Sequence, residues 1–255
     1  MSENKWPWDK VYVINLDKDV ERMEKIKKQL DDLKIDYFRL SATNGFEKFP
    51  LGKKIKEAET LNEKWNLIEK MNRILIKYKI THKNIRKFNK YLKPGQYGNL
   101  DSNKRIMQDI IKNNYEKVLI LEDDCILTND FKKKIFDTYN NLPNDCDILY
   151  LGLTPLHLKI TGIPEKINQF VSKLNPIIPK SKQKKFKYGI VYGSHALLIN
   201  KKVAIEWLKA AYPVKWPSDW VFGKLIFESK KIKGYCCDLI EASSDFTVDS
   251  NTELI

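Results

Sequence analysis

The stretch Lys117–Leu127, KVLILEDDCIL, decides how the rest of the chain is read. Val118 to Leu121 is a continuous apolar run, the pattern of a strand buried on both faces. It stops abruptly at Glu122, Asp123 and Asp124, and apolar residues resume at Ile126 and Leu127. Adjacent carboxylates repel one another, so three of them between two buried segments call for a positive partner. In an open α/β sheet, ligands bind at the carboxyl ends of the strands, and these residues stand at such an end. Hard divalent cations such as Mg²⁺ or Mn²⁺ take carboxylate oxygen from one or two side chains, with phosphates completing the shell. The stretch therefore suits a metal–diphosphate site, where the cation neutralises a departing diphosphate. It suits an acidic turn that merely caps a strand equally well, and by itself it does not choose.

Working outward, SNKRIMQDIIKNN before this strand places Ile106, Met107, Ile110 and Ile111 on one helical face. Near the N-terminus, KVYVINL (Lys10–Leu16) reads as a short buried strand. The segment after it carries Met23, Ile26, Leu30 and Leu33 at helical spacing, with Asp17 or Asp19 as candidate cap. DYFRLSA then reads as a second strand, closing in a turn at Asn44 and Gly45. Strand, helix and strand in this order form a βαβ unit and imply parallel pairing. CDILYLG and SHALLIN supply further strands, and KKVAIEWLKAAY another helix. The alternation predicts one α/β domain over residues 1–255, a mostly parallel twisted sheet flanked by helices.

Two stretches break the rhythm. Residues 46–94 are rich in Lys, Glu and Asn, with apolar Leu61, Trp65, Ile68, Met71 and Leu75 at helical spacing, which predicts a helical insertion. Residues 154–187 hold four prolines and the run KSKQKKFK without periodicity, which predicts a long loop.

The formal net charge of +13 predicts a basic surface, attractive to polyanions or simply solvated. No apolar run approaches the ~18 residues of a transmembrane helix, and MSENKWPWDK has no apolar signal core. The four cysteines fit no zinc spacing and read as free thiols. These features predict a cytoplasmic protein, and the Lys- and Asn-rich composition fits a viral or bacterial source.

Six segments in order resemble glycosyltransferase family 25, which includes lipooligosaccharide-synthesis transferases and collagen galactosyltransferases. They are VYVINLDKDVERMEKIKKQLDDLKIDYFRLSATNG, GQYGNLDSN, LILEDDCIL, DILYLG, GSHALLIN and PSDW. Each is weak alone; their order and spacing carry the resemblance, which leaves out the two irregular stretches. It implies a GT-A fold, a UDP-sugar donor, Mn²⁺ (or Mg²⁺), and a glycan or protein-linked acceptor. The sugar moved would be a hexose, galactose or glucose.

The resemblance also implies roles. Asn15, Leu16 and Arg22 would line the nucleotide pocket, with Ala42 and Thr43 at its edge. Glu122 and Asp123 would lie near the donor's ribose and sugar, with Asp124 on the metal. Gly193, Ser194 and His195 would approach the sugar. Ser102 and Asn103 belong to the glycine-rich element, where the family usually has His in place of Asn103; Asn neither titrates nor ligates metal well, and donor sugar preference is the property this change touches. Arg22 has a competing reading as an exposed helix ion-pair partner, and His195 as a structural hydrogen-bond donor. Asp219, at the start of an apolar helix pattern, is either a helix cap or the catalytic base, and a helix N-terminus would keep it ionised. Asp245 in the C-terminal EASSDFTVDSN is a second candidate metal ligand.

Three functions compete at this stage. The leading one is metal-dependent sugar transfer with inversion at the anomeric carbon. A nucleotidyltransferase has the same metal–phosphate geometry but releases pyrophosphate. A catalytically inert, basic nucleic-acid-binding protein is the third, although no aromatic residues interleave with Lys and Arg in a nucleic-acid motif.

Overall fold

The first strand, β1 (Lys10–Asn15), is buried on both sides because its alternate residues serve two different cores. Tyr12 and Ile14 enter one, Val11 and Val13 the other. The same alternation runs through β3 (Lys117–Glu122), with Val118 and Ile120 on one face and Leu119 and Leu121 on the opposite face. A sheet covered on both sides explains why these strands read as unbroken apolar runs. The computed structural model describes residues 6–88, 91–152, 172–173, 194–237 and 239–241.

Helix α1 (Val20–Asp32) lies on the second face through Met23, Ile26 and Leu30. It follows Asp19, whose side chain makes no capping bond to the helix, and it leads to β2 (Phe38–Ser41), which pairs parallel to β1 as the βαβ reading requires. Short helices α2 (Gly45–Lys48) and α3 (Gly52–Glu57) follow, then α4 (Leu61–Lys77) and α5 (Ile85–Phe88). Most of the described residues between 46 and 94 thus lie in helices, joined by turns. Ile68, Met71 and Leu75 of α4 join the first core while Leu61 stays exposed, about two turns ahead of Ile68.

Helix α6 (Pro94–Lys112) covers the same face with Leu100, Ile106, Met107 and Ile110. Strand β4 (Ile126–Leu127) and helix α7 (Phe131–Asn140) come after β3, and Phe131 and Ile135 close the second face. The remaining elements are β5 (Ile148–Tyr150), β6 (Ser172–Lys173), β7 (Ala196–Asn200), α8 (Lys201–Ala211), α9 (Ser218–Phe227), β8 (Gly234–Cys236) and β9 (Ile240–Glu241). No helix among the described residues is long and apolar enough to cross a membrane.

The sheet order is β2-β1-β3-β7-β5-β8, with the two-residue β6 at the outer edge. This is an α/β fold of GT-A-like type, with β2, β1, β3, β5 and β8 all running in one direction, as a mostly parallel sheet requires. Strand β7 runs antiparallel to both neighbours, β3 and β5, and β6 runs antiparallel to β8. Parallel neighbours need a crossover, usually a helix, and the sequence before β7 has no helical period. The parallel inference from the first βαβ unit therefore does not extend there. Of residues 154–187, all but β6 lie outside the described residues.

One close approach fixes the site's walls. A Cβ on Gly98 would stand 2.3 Å from the Thr43 carbonyl oxygen, and one on Gly45 would stand 1.8 Å from the Pro94 carbonyl oxygen. Backbone therefore lies directly on backbone where α6 meets the turn after β2, which accounts for a glycine in each segment. Gly98→Ala should lower stability by about 1–3 kcal/mol, the usual cost of overpacking. Chemical denaturation of the purified variant measures it; an unchanged midpoint would mean that the two segments can move apart freely.

Candidate active site

Glu122 is the last residue of β3, paired across the sheet with Ile14, so β1 and β3 end side by side. The turn carrying Asp123 and Asp124 starts there, and Asn15 is the neighbouring strand's last residue. Asn15 is buried, and its amide donates to Asp123 Oδ2 at 2.7 Å and to the Asp19 carbonyl at 2.9 Å. Arg39 of β2 donates to Asn15 Oδ1 at 2.9 Å, which fixes the way the amide faces. Asp17 holds Arg39 at 2.6 Å and accepts from Ser41 at 2.8 Å, so it braces β2 and does not cap α1. Arg22 projects from the first turn of α1 to 3.8 Å from Asp123 Oδ1. It turns to the acidic segment and not to an i,i+4 partner.

The sheet's antiparallel step supplies the next component. His195 immediately precedes β7, and its carbonyl accepts from the Glu122 amide at 2.7 Å. Its Nδ1 lies 3.1 Å from Glu122 Oε2 and 3.6 Å from Asp124 Oδ1. Glu122, Asp124 and His195 thus bring one ligand atom each within 4.8 Å of one another. Asp124 Oδ1 is buried and, among the described residues, has no hydrogen-bond partner. An orphaned carboxylate oxygen beside a second carboxylate and an imidazole is a donor set suited to Mn²⁺ or Mg²⁺.

The charges respond to this crowding. Burial, with the negative charges of Asp124 and Glu122, pushes Asp123 up to about 6, against the pull of Asn15 and Arg22. Burial also opposes ionisation of Asp124, but His195 and Arg22 hold its pKa below the ordinary value. For His195, burial alone would favour the neutral ring; the carboxylates of Asp124 and Glu122 outweigh it and raise the pKa to about 10. The imidazolium therefore provides the positive partner that the acidic run demands when no cation is bound.

Helix α6 closes one wall. Ser102 is buried; its hydroxyl donates to the Gly98 carbonyl and accepts from the Thr43 amide at 2.8 Å. Asn103, also buried, donates to the carbonyl and side-chain oxygens of Asn99, and Asn99 donates to Glu122 at 3.4 Å. Ser102 and Asn103 thus bond to Thr43 and Asn99, the residues nearer the acidic turn. Thr43 also donates to Asp101, which Lys48 holds at 2.7 Å. Ala42 hydrogen-bonds through its amide to the Asn15 carbonyl, and Leu16 is half-buried beside it. Ser194 is buried next to His195, while Gly193 and Asp245 lie outside the described residues. Strand β9 pairs with β4, directly after the acidic turn.

Asp219 occupies the first turn of α9, one residue inside the helix start, and accepts a hydrogen bond from the Trp220 amide at 2.9 Å. Burial pushes its pKa up to about 7, aided by the charge of Glu122. The helix terminus does not keep it firmly ionised, because desolvation outweighs the dipole. Trp216 and Trp220 stack beside it with ring centroids 5.6 Å apart.

Sequence reasoning passed over Asn99 and Arg39, and it placed His195 near the sugar without linking it to Asp124. The four-residue spacing of Asn99 and Asn103 was a usable signal, since it sets both on one helical face. The proximity of His195 to the acidic turn had none, because it depends on the antiparallel register of β7.

The fold is that of an α/β protein whose strands end in carboxylates, with three groups that could hold a cation and a neutral-range carboxyl close by. Residues 8–222 match the family described as glycosyltransferase family 25 (LPS biosynthesis protein), and the chain belongs to that family. It is a glycosyltransferase, which favours sugar transfer over the nucleotidyltransferase and nucleic-acid readings. The matched span runs through both irregular stretches that the motif resemblance left out. No curated protein matches the chain.

A carboxyl with a folded pKa near 6 and an unfolded value of about 3.9 destabilises the fold as pH rises between them, because the folded state holds the proton more tightly. In chelator-treated protein, Asp123→Asn should therefore raise stability at pH 7 by about 1–3 kcal/mol, and the gain should disappear below pH ~4. Thermal unfolding at the two pH values checks it; equal effects at both would remove charge repulsion as the cause.

Proposed function

We propose that the protein transfers a hexose, galactose or glucose, from a UDP-sugar to a hydroxyl of a glycan or protein-linked acceptor, with inversion. The observation that carries this reading is the juxtaposition of the Glu122–Asp124–His195 cluster with Asp219, a carboxyl buried enough to titrate near neutrality.

Asp124, with Glu122 and His195 beside it, would hold Mn²⁺ or Mg²⁺. When bound, such a cation supplies charge stabilisation to the departing diphosphate. Asp245 remains the candidate for an additional ligand from the C-terminal segment. Arg22 offers the phosphates a planar, permanently charged fork, and Asn15 holds Asp123 in place toward the ribose. Leu16, Ala42 and Thr43 line the nucleotide side, with Thr43 seated by Ser102. Asn99, supported by Asn103, orients Glu122 toward the donor sugar, and Gly193, Ser194 and His195 approach from the opposite strand.

Asp219 serves as base. Its carboxylate takes the proton of the acceptor hydroxyl as that oxygen attacks the anomeric carbon, and the bond from that carbon to the UDP oxygen breaks. One displacement inverts the centre and releases UDP. A base is most effective when its pKa lies near the working pH, and burial brings Asp219 there. The stacked Trp216 and Trp220 offer an apolar face to a sugar ring.

Asp124→Ala should abolish Mn²⁺-dependent UDP binding while the fold is retained; calorimetry showing unchanged affinity would exclude Asp124 from the metal. Asp219→Asn keeps shape and hydrogen bonding but removes the base. It should leave UDP-sugar affinity nearly intact and cut turnover by about 10²–10⁴-fold. In the wild type, kcat/KM should fall as pH drops below about 7, because Asp219 is then protonated. UDP release from a panel of UDP-sugars with Mn²⁺ gives all these rates, and near-normal turnover in Asp219→Asn would reduce Asp219 to a structural residue.

A further inference from the structure

Strand β5 ends at Tyr150 on the same edge of the sheet as Glu122, since β5 and β3 both run against β7. Tyr150 pairs with Leu197, and Leu197 pairs with Ile120, so Tyr150 sits two strands from Ile120 at the same level. Its side chain joins the core that holds Val118 and Ile120. By the two-residue period of a strand, Glu122 projects to that face too, and its bond from Asn99 of α6 is made there. Helix α9 packs on this face through Val221, Phe222 and Leu225. Tyr150, Glu122 and the start of α9 therefore share one corner of the site.

Among the described residues, two hydroxyls in this corner have no hydrogen-bond partner. Tyr150 is 1% exposed and Ser218, the first residue of α9, 3%, and neither Tyr150 Oη nor Ser218 Oγ makes a hydrogen bond. The Tyr150 carbonyl is satisfied by the Cys237 amide, so the deficit belongs to the phenol. Burial raises the phenol well above its ordinary range, and the charge of Asp219 reaches it and adds to the effect. It stays a neutral donor. Leaving buried donors unmade destabilises a fold, so such groups need a functional account. Asp124 Oδ1, already assigned to a cation, likewise makes no hydrogen bond among the described residues.

We propose that Tyr150 and Ser218 form a subsite that hydrogen-bonds a hydroxyl of the donor hexose, between Glu122 and the base Asp219. A hydroxyl both donates and accepts, as do the phenol and the serine, so a sugar hydroxyl satisfies both. A site built around such groups discriminates against a sugar lacking that hydroxyl, because the buried donors are then stranded. The subsite rests on the transferase reading above, and it adds the residues that choose the sugar.

Tyr150→Phe and Ser218→Ala test it, with calorimetry of UDP, UDP-glucose and UDP-galactose in the presence of Mn²⁺. Each variant should bind UDP like the wild type and bind the preferred UDP-hexose about 3- to 15-fold more weakly, the scale of a neutral hydrogen bond. The melting temperature of Tyr150→Phe should be unchanged or higher, because an orphaned hydroxyl is removed; a structural hydroxyl would give a lower one. Unchanged UDP-hexose affinities in both variants overturn the subsite, as does a lower melting temperature with normal affinities. Failure of the wild type to bind UDP with Mn²⁺ refutes the donor-site reading itself, a result distinct from either.

Discussion

Three carboxylates in succession at the end of a buried strand set the terms for everything around them. Like charges at this spacing raise one another's pKa unless positive or hydrogen-bonding groups intervene, and each intervention here comes from a different element. Asn15 arrives from β1, Arg22 from α1, His195 from the approach to β7 and Asn99 from α6. The compensation is incomplete: Asp123 is still pushed up to about 6, and one Asp124 oxygen, though 3.6 Å from His195 Nδ1, accepts no hydrogen bond among the described residues. A fold tolerates such a deficit where stability has been exchanged for function. Under the proposed reading, a bound cation would relieve this deficit.

The backbone meets this demand through proximity. Gly45 and Gly98 let the turn after β2 and the first turns of α6 touch main chain to main chain. Ser102 then bonds the Thr43 amide across the contact, and Arg105 reaches the Ser41 carbonyl at 2.6 Å. The glycine-rich element is thus a helical docking surface, with its polar residues turned to the turn and the acidic segment. The antiparallel β7 completes the arrangement, since a reversed strand delivers its leading residue, His195, to the edge where β1 and β3 end.

The acid–base character of the site follows from unequal environments. Asp124 is held ionised by His195 and Arg22, whereas Asp219, to which no cationic side chain among the described residues is bonded, is left near neutrality by burial. Two carboxyls pushed apart in this way suit two tasks, one electrostatic and one proton-transferring.

Local sequence determined much of this. The apolar runs Val11–Ile14 and Val118–Leu121 specify strands buried on both faces, and the spacing of Met23, Ile26 and Leu30 specifies the intervening helix. Strand–helix–strand order then leaves parallel pairing as the short, right-handed solution. Glu122, Asp123 and Asp124 stand out as a candidate site because charge ending a buried run is a local anomaly. What only the tertiary structure decided was contact between segments distant in the chain. The direction of β7 could not be read from SHALLIN, because an apolar strand fits a neighbour in either sense and its register lies in the pairing. With that direction came the placement of His195 against Asp124, and of Tyr150 on the face of Glu122. Burial of Asp219 likewise belongs to the packing of α9, and desolvation, which sets its pKa, is a property of surroundings that no single stretch of sequence contains.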